Sequence, residues 1–237
     1  MPSFQKDLES TLTGRLIVFS LNKLTNRNSE EKRIVKKTIQ IIAGIFIVLT
    51  AIWGYRNSTD HMYELTFISN TACGIVLLSD GLIELSMNKK VPAWIYQMVL
   101  PCTNVVFFTC VFTLLGWHSF NFSGAFFFLH AINPPLFLSI YLFCAELKIE
   151  SKSDYIKRIF ISPLMIMSYL LFDYIRYIIT GNLVYGLISA ESLTFVSAML
   201  IGIGFYLLMV FMNYGLIDLK LYVQKKINLA NVCQVLF

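Results

Sequence analysis

The chain has 237 residues, 57% of them hydrophobic and only 14% charged, with twenty Phe and a net charge of +5. That length would suit a soluble domain or two, but the apolar residues fall in long blocks, which excludes an ordinary soluble fold. The basic residues are dispersed over tails and connections, so they read as a topology signal with some contact to anionic membrane lipids, and not as a nucleic-acid surface.

A helix needs about 20 largely apolar residues to cross roughly 30 Å of hydrocarbon. Six stretches qualify, at about 38–55, 62–86, 92–117, 124–145, 158–180 and 195–218. Their apolar runs are continuous, without period-2 alternation, so the expected fold is all-α, a polytopic membrane protein of six transmembrane helices and not a barrel. Residues 1–37 and 219–237 are expected as cytoplasmic tails around one transmembrane domain, 38–218. Seventeen Lys and Arg fall in the tails and in the second-to-third and fourth-to-fifth connections, against Arg56 alone on the other side. The positive-inside rule then puts both termini in the cytoplasm.

In chain order, Phe4, Leu8, Leu12, Leu16 and Phe19 recur at helical spacing among basic residues, as in an amphipathic helix on the inner membrane surface. No cleavable signal peptide is evident. Asn28 or Ser29, followed by Glu30 and Glu31, reads as a helix start. The first span lacks charge and reads as scaffold. The second opens with H-M-Y-E-L-T-F-I-S-N and ends with Asp80 and Glu84, expected to be solvated or paired with Lys89 or Lys90. Pro101 should kink the third span, beside Thr103 and Asn104.

The fourth span carries the costliest group. Gly124 to Pro135 reads G-A-F-F-F-L-H-A-I-N-P-P. An ionisable residue within a span is by default a functional candidate, so His130 needs partners, although interhelical hydrogen-bonded glue is the plainer reading. Pro134-Pro135 should loosen the helix below it and free carbonyls that something must satisfy. The fifth span has Asp173, Tyr174, Arg176 and Tyr177 near its outer end, with Gly181 as its stop. The apolar outer stretch 182–194 suggests a lid. Ala198 and Gly202 give the sixth span a small-residue face suited to close helix contact.

At 1.5 Å per residue, Thr66, His130, Asp173 and Arg176 all fall roughly 6–11 Å below the outer surface. A hydroxyl beside an imidazole is the minimal nucleophile–base pair for attack on a carbonyl. Asn70 or Asn133 could donate to an oxyanion, and Arg176 could hold a carboxylate unless it pairs locally with Asp173. Five scattered cysteines and one histidine within the spans suggest no metal site, and no cofactor motif is present.

These residues resemble the androgen-induced-protein family of intramembrane threonine hydrolases and its bacterial six-pass branch. The resemblance lies in Y-E-L-T-F-I-S-N at 63–70, L-H-A-I-N-P-P at 129–135 and S-Y-L-L-F-D-Y-I-R-Y-I-I-T-G at 168–181. Topology and length agree across roughly 36–218. It implies hydrolysis of fatty acid esters of hydroxy fatty acids, with Thr66 as nucleophile and His130 as its partner. Asn70, Asn133, Asp173, Arg176 and Tyr177 would then be oxyanion and substrate contacts, in a bacterial cell membrane. A lipid or small-molecule binding or transport protein using the same polar pocket is the alternative.

Overall fold

The computed structural model describes residues 29–110, 124–184 and 194–235. Among them every regular element is helical: α1 (Ser29–Tyr55), α2 (Leu65–Met87), α3 (Ala93–Phe108), α4 (Gly124–Phe143), α5 (Lys152–Ile161), α6 (Leu164–Thr180) and α7 (Phe195–Val235). Five stretches are long and apolar enough to cross a membrane: Arg33–Tyr55, Leu65–Met87, Gly124–Phe143, Lys152–Thr180 and Phe195–Ile227. The apolar α3 is shorter within its described part. The expected N-terminal amphipathic segment, positions 111–117 of the third span and most of the suggested lid lie outside the described residues.

Helix starts and stops follow local chemistry. α1 begins at Ser29 with Glu30 and Glu31 in its first turn, where carboxylates complement the helix dipole. α6 ends at Gly181, whose φ of +73° is the left-handed conformation glycine adopts most cheaply. Ser162-Pro163 divides the expected fifth span into α5 and α6, because a proline after the first helix removes a donor. Pro163 leaves the Ile159 carbonyl at the end of α5 without its helical donor, and the Asn213 amide of α7 reaches it, together with the Arg158 carbonyl (which also accepts the Ser162 N–H) and Ser162 Oγ. α7 does not stop near residue 218. Its helix continues to Val235, so most of the expected C-terminal tail is helical.

Between membrane helices there is little hydrophobic driving force, so close packing and polar contacts must hold them. α1 and α2 meet over glycine: a Cβ on Gly44 would lie 2.8 Å from the Gly74 carbonyl oxygen, and one on Gly74 would lie 2.5 Å from Val48. The small-residue contact therefore falls on α1–α2. At Gly202, where it was expected, a Cβ would touch only Met167, at 3.8 Å. Beneath this pair Ile47, Leu77, Tyr96, Leu100, Phe137 and Tyr141 are fully buried, and the Tyr96 and Phe137 rings stack at 5.7 Å.

Asp80 and Glu84 are neither solvated nor paired with Lys89 or Lys90. Both are buried against Lys37 of α1, at 3.1 and 2.6 Å. Asp80 also accepts from Gln40, Tyr96 and the Val91 amide, which ties α1, α2 and α3 together at one end of the bundle. Lys90 reaches Glu146 instead, at 2.5 Å.

Candidate active site

The two prolines of α4 set the local geometry. Residues Phe128–Ile132 are wound as a π-helix, and the Asn133 amide bonds the Phe128 carbonyl five residues back. In that winding the Leu129 carbonyl would be paired with residue 134, but Pro134 has no N–H. Asn70 of α2 fills the gap: its Nδ2 donates to Leu129 O at 3.2 Å and to Thr66 O at 2.8 Å. The same prolines that widen α4 around His130 thus bring α2 onto it.

His130 is buried, with its ring stacked on Phe126 at 3.8 Å. Nδ1 lies 3.0 Å from the Phe126 carbonyl oxygen, which can only accept. The neutral ring therefore carries its proton on Nδ1 and turns the Nε2 lone pair outward. That lone pair faces the Thr66 hydroxyl at 3.4 Å, with Thr66 itself buried. Two residues 64 apart in sequence meet here in the order hydroxyl, imidazole, fixed acceptor.

The asparagines brace this pair. Both Nδ2 hydrogens of Asn70 go to carbonyls, so its Oδ1 must face Asn133, whose Nδ2 donates to it at 2.8 Å and to Thr50 Oγ1 at 3.0 Å. With all four amide hydrogens engaged, neither residue has a donor to spare for an oxyanion unless an existing bond breaks. The expectation of a free donor there conflicts with the bonding forced by Pro134.

Arg176 and Asp173 sit at the rim and do not pair with each other among the described contacts. Arg176 stacks over the Tyr63 ring at 4.4 Å and donates to Tyr63 Oη and the Asn182 carbonyl. Asp173 accepts the Val184 amide at 2.8 Å. Tyr177 lies on the same turn as Tyr174, with ring centroids 6.3 Å apart. Arg176 is tied to the segment entering α2, three residues before Thr66.

Tyr169, which the sequence did not single out, makes a second such tie: its hydroxyl accepts the Leu65 amide at 3.0 Å. Its signal was a tyrosine two turns inside Arg176 on the same helix. The first intrahelical bond of α2 runs from Ile68 to Glu64, so the Phe67 N–H has no acceptor in its own helix. An apolar groove of about 360 Å³ runs between α3 and α7, lined by Val105, Phe108, Thr109, Phe205, Leu208, Met209 and Met212. Met209 packs in the same cluster as Leu65, the residue before Thr66.

No protein-family model, curated protein or solved structure matches this chain.

Proposed function

We propose that this is an intramembrane lipid-ester hydrolase, of the fatty acid ester of hydroxy fatty acid type, with Thr66 as nucleophile and His130 as general base. The carrying observation is the buried Thr66 Oγ1 to His130 Nε2 approach of 3.4 Å, with Nδ1 committed to Phe126. On this reading the chain belongs with the intramembrane threonine hydrolases its motifs resemble. It crosses a bacterial cell membrane six times with both termini in the cytoplasm, and α3 supplies the third of the six spans.

Thr66 Oγ attacks the ester carbonyl as His130 Nε2 takes its proton, and the imidazolium then protonates the departing alcohol. The distance is longer than a tight hydrogen bond, as catalytic contacts commonly are before substrate arrives. The oxyanion is received at the amino end of α2, where the Phe67 N–H precedes the first helical bond and the dipole is positive. Arg176, with N–H groups beyond its two bonds, holds a carboxylate at the rim. Acyl chains enter from the hydrocarbon, towards which the groove beside Leu65 is apolar.

Purified protein in lipid nanodiscs, offered a fatty acid ester of a hydroxy fatty acid, should release both acids. Thr66→Ala should remove that release while leaving a monodisperse, helical protein. Equal turnover by Thr66→Ala, or binding of the ester without cleavage by the unaltered protein, would favour the lipid-binding or transport reading instead.

A further inference from the structure

The hydrogen-bond directions around Asn133 can be worked out without ambiguity. Thr66 O and Leu129 O are carbonyls, so the Asn70 atom facing them is Nδ2 and its other atom is an acceptor. The Asn133 atom facing Asn70 Oδ1 is therefore Nδ2. Thr50 spends its only hydrogen on the Phe46 and Ile47 carbonyls, at 3.0 and 2.9 Å, so it too accepts from Asn133. Every direction is fixed by a carbonyl. What remains is Asn133 Oδ1, an acceptor with no donor among the described residues, on a side chain 1% exposed. Asn133 directly follows the π-wound turn that presents His130 and closes it with its backbone N–H, and its side-chain amide is one hydrogen bond from the amide that holds Thr66 O. A buried amide oxygen in that position calls for a small hydroxyl donor.

We infer that Asn133 is a positioning residue for the water that deacylates Thr66. This rests on the hydrolase reading above. Once Thr66 carries an acyl group, Asn133 Oδ1 accepts one hydrogen of a water molecule and turns its oxygen towards the ester. The water oxygen bonds to the acyl carbon as its other proton passes to His130 Nε2. The bond from carbon to Thr66 Oγ then breaks, Oγ takes that proton back from His130, and the fatty acid leaves. The floor of the site thus serves the second half of the reaction, while the Thr66–His130 contact serves the first.

Two substitutions separate this role from simple bracing. Asn133→Leu and Asn133→Asp both lose the Nδ2 bonds to Thr50 and Asn70, but only Leu also loses the acceptor. The full-length protein is given a p-nitrophenyl ester of a medium-chain fatty acid, with nitrophenol release and the mass of the Thr66 peptide followed together. Asn133→Leu should keep its first turnover, slow its steady state on the order of 10²-fold as expected for a misplaced reactant, and accumulate acyl-Thr66. Added hydroxylamine, which needs no water site, should restore turnover. Asn133→Asp should show a smaller steady-state loss and less adduct. Equal impairment of the two variants, or loss of turnover in Leu with no adduct, overturns the inference and leaves the hydrolase reading standing. No Thr66-dependent release from the unaltered protein overturns both.

Discussion

At the scale of single residues, the account turns on how each buried polar atom is partnered. On the proposed reading His130 serves as a base because Phe126 O holds its Nδ1 proton, which leaves Nε2 to Thr66. His130→Gln keeps a polar side chain but supplies no base, and should lower ester turnover by about 10²–10⁴-fold, the usual worth of a general base, in kcat more than in KM. Lys37 answers to the same logic at the other end of the bundle. Lys37→Met leaves Asp80 and Glu84 buried together without their cation, and should destabilise the fold by about 3–5 kcal/mol, read as an earlier unfolding transition in detergent. His130 drew attention in the sequence as an ionisable group within an apolar run, whereas Thr66 was marked out only by its matching depth and by the resemblance of its motif. Lys37 was not, since it lies 43 residues from Asp80 while Lys89 and Lys90 are near at hand. Nor did sequence show that the asparagine amides were taken, which depends on a carbonyl freed on a different helix.

At the scale of elements, the π-turn of α4 and the glycine contact of α1–α2 do the positioning. Pro134→Ala restores an N–H that can take the Leu129 carbonyl, so Asn70 loses its partner and α4 can wind more tightly. The variant should be as stable as the parent or more so, yet lose at least about tenfold in ester turnover as the dyad is misplaced. Circular dichroism melting and turnover on the same sample check both halves. Gly74→Ile, by contrast, forces a side chain into Val48 and the Gly44 carbonyl, and should unfold the helix pair that carries Thr50 and Thr66. The prolines announced a disturbance below His130, and a wide turn is its form. The glycines gave less away: Gly44 lies in a stretch with no charge and no chemistry, and Gly74 and Gly81 are seven apart, outside the four-residue small spacing that marked Ala198 and Gly202.

At the scale of the whole molecule, several apolar helices are held by polar ties at both ends. Tyr63, Tyr169 and Arg176 join α2 to α6 near the dyad, and Lys37, Asp80 and Tyr96 join α1, α2 and α3 opposite. Between the connections, the Lys90 ammonium beside Glu146 holds that carboxyl below its usual range. A depressed carboxylate stabilises the fold above its unfolded pKa and ceases to do so as pH falls through the folded value. The pair is partly exposed, so Glu146→Gln should cost under about 1 kcal/mol at pH 7, and the difference in melting temperature should narrow as pH falls past the ordinary Glu value and close once it is below the lowered folded one. Helix content and apolar spans were plain from composition, because crossing hydrocarbon demands long runs of apolar residues. The break at Ser162-Pro163 and the continuation of α7 to Val235 were not, since the first lies inside an apolar run and the second goes with long-range bonds of Lys220 to Leu142 and of Gln224 to Leu147. The central claim remains the buried Thr66–His130 pair as a working nucleophile and base. Its most direct measurement is labelling of the purified protein with a fluorophosphonate, followed by mass mapping of the adduct. The account predicts a single phosphonylated residue, Thr66, with labelling strongly slowed in His130→Gln and absent in Thr66→Ala; an unlabelled Thr66 in folded protein that cleaves ester, or a label indifferent to His130, would contradict it.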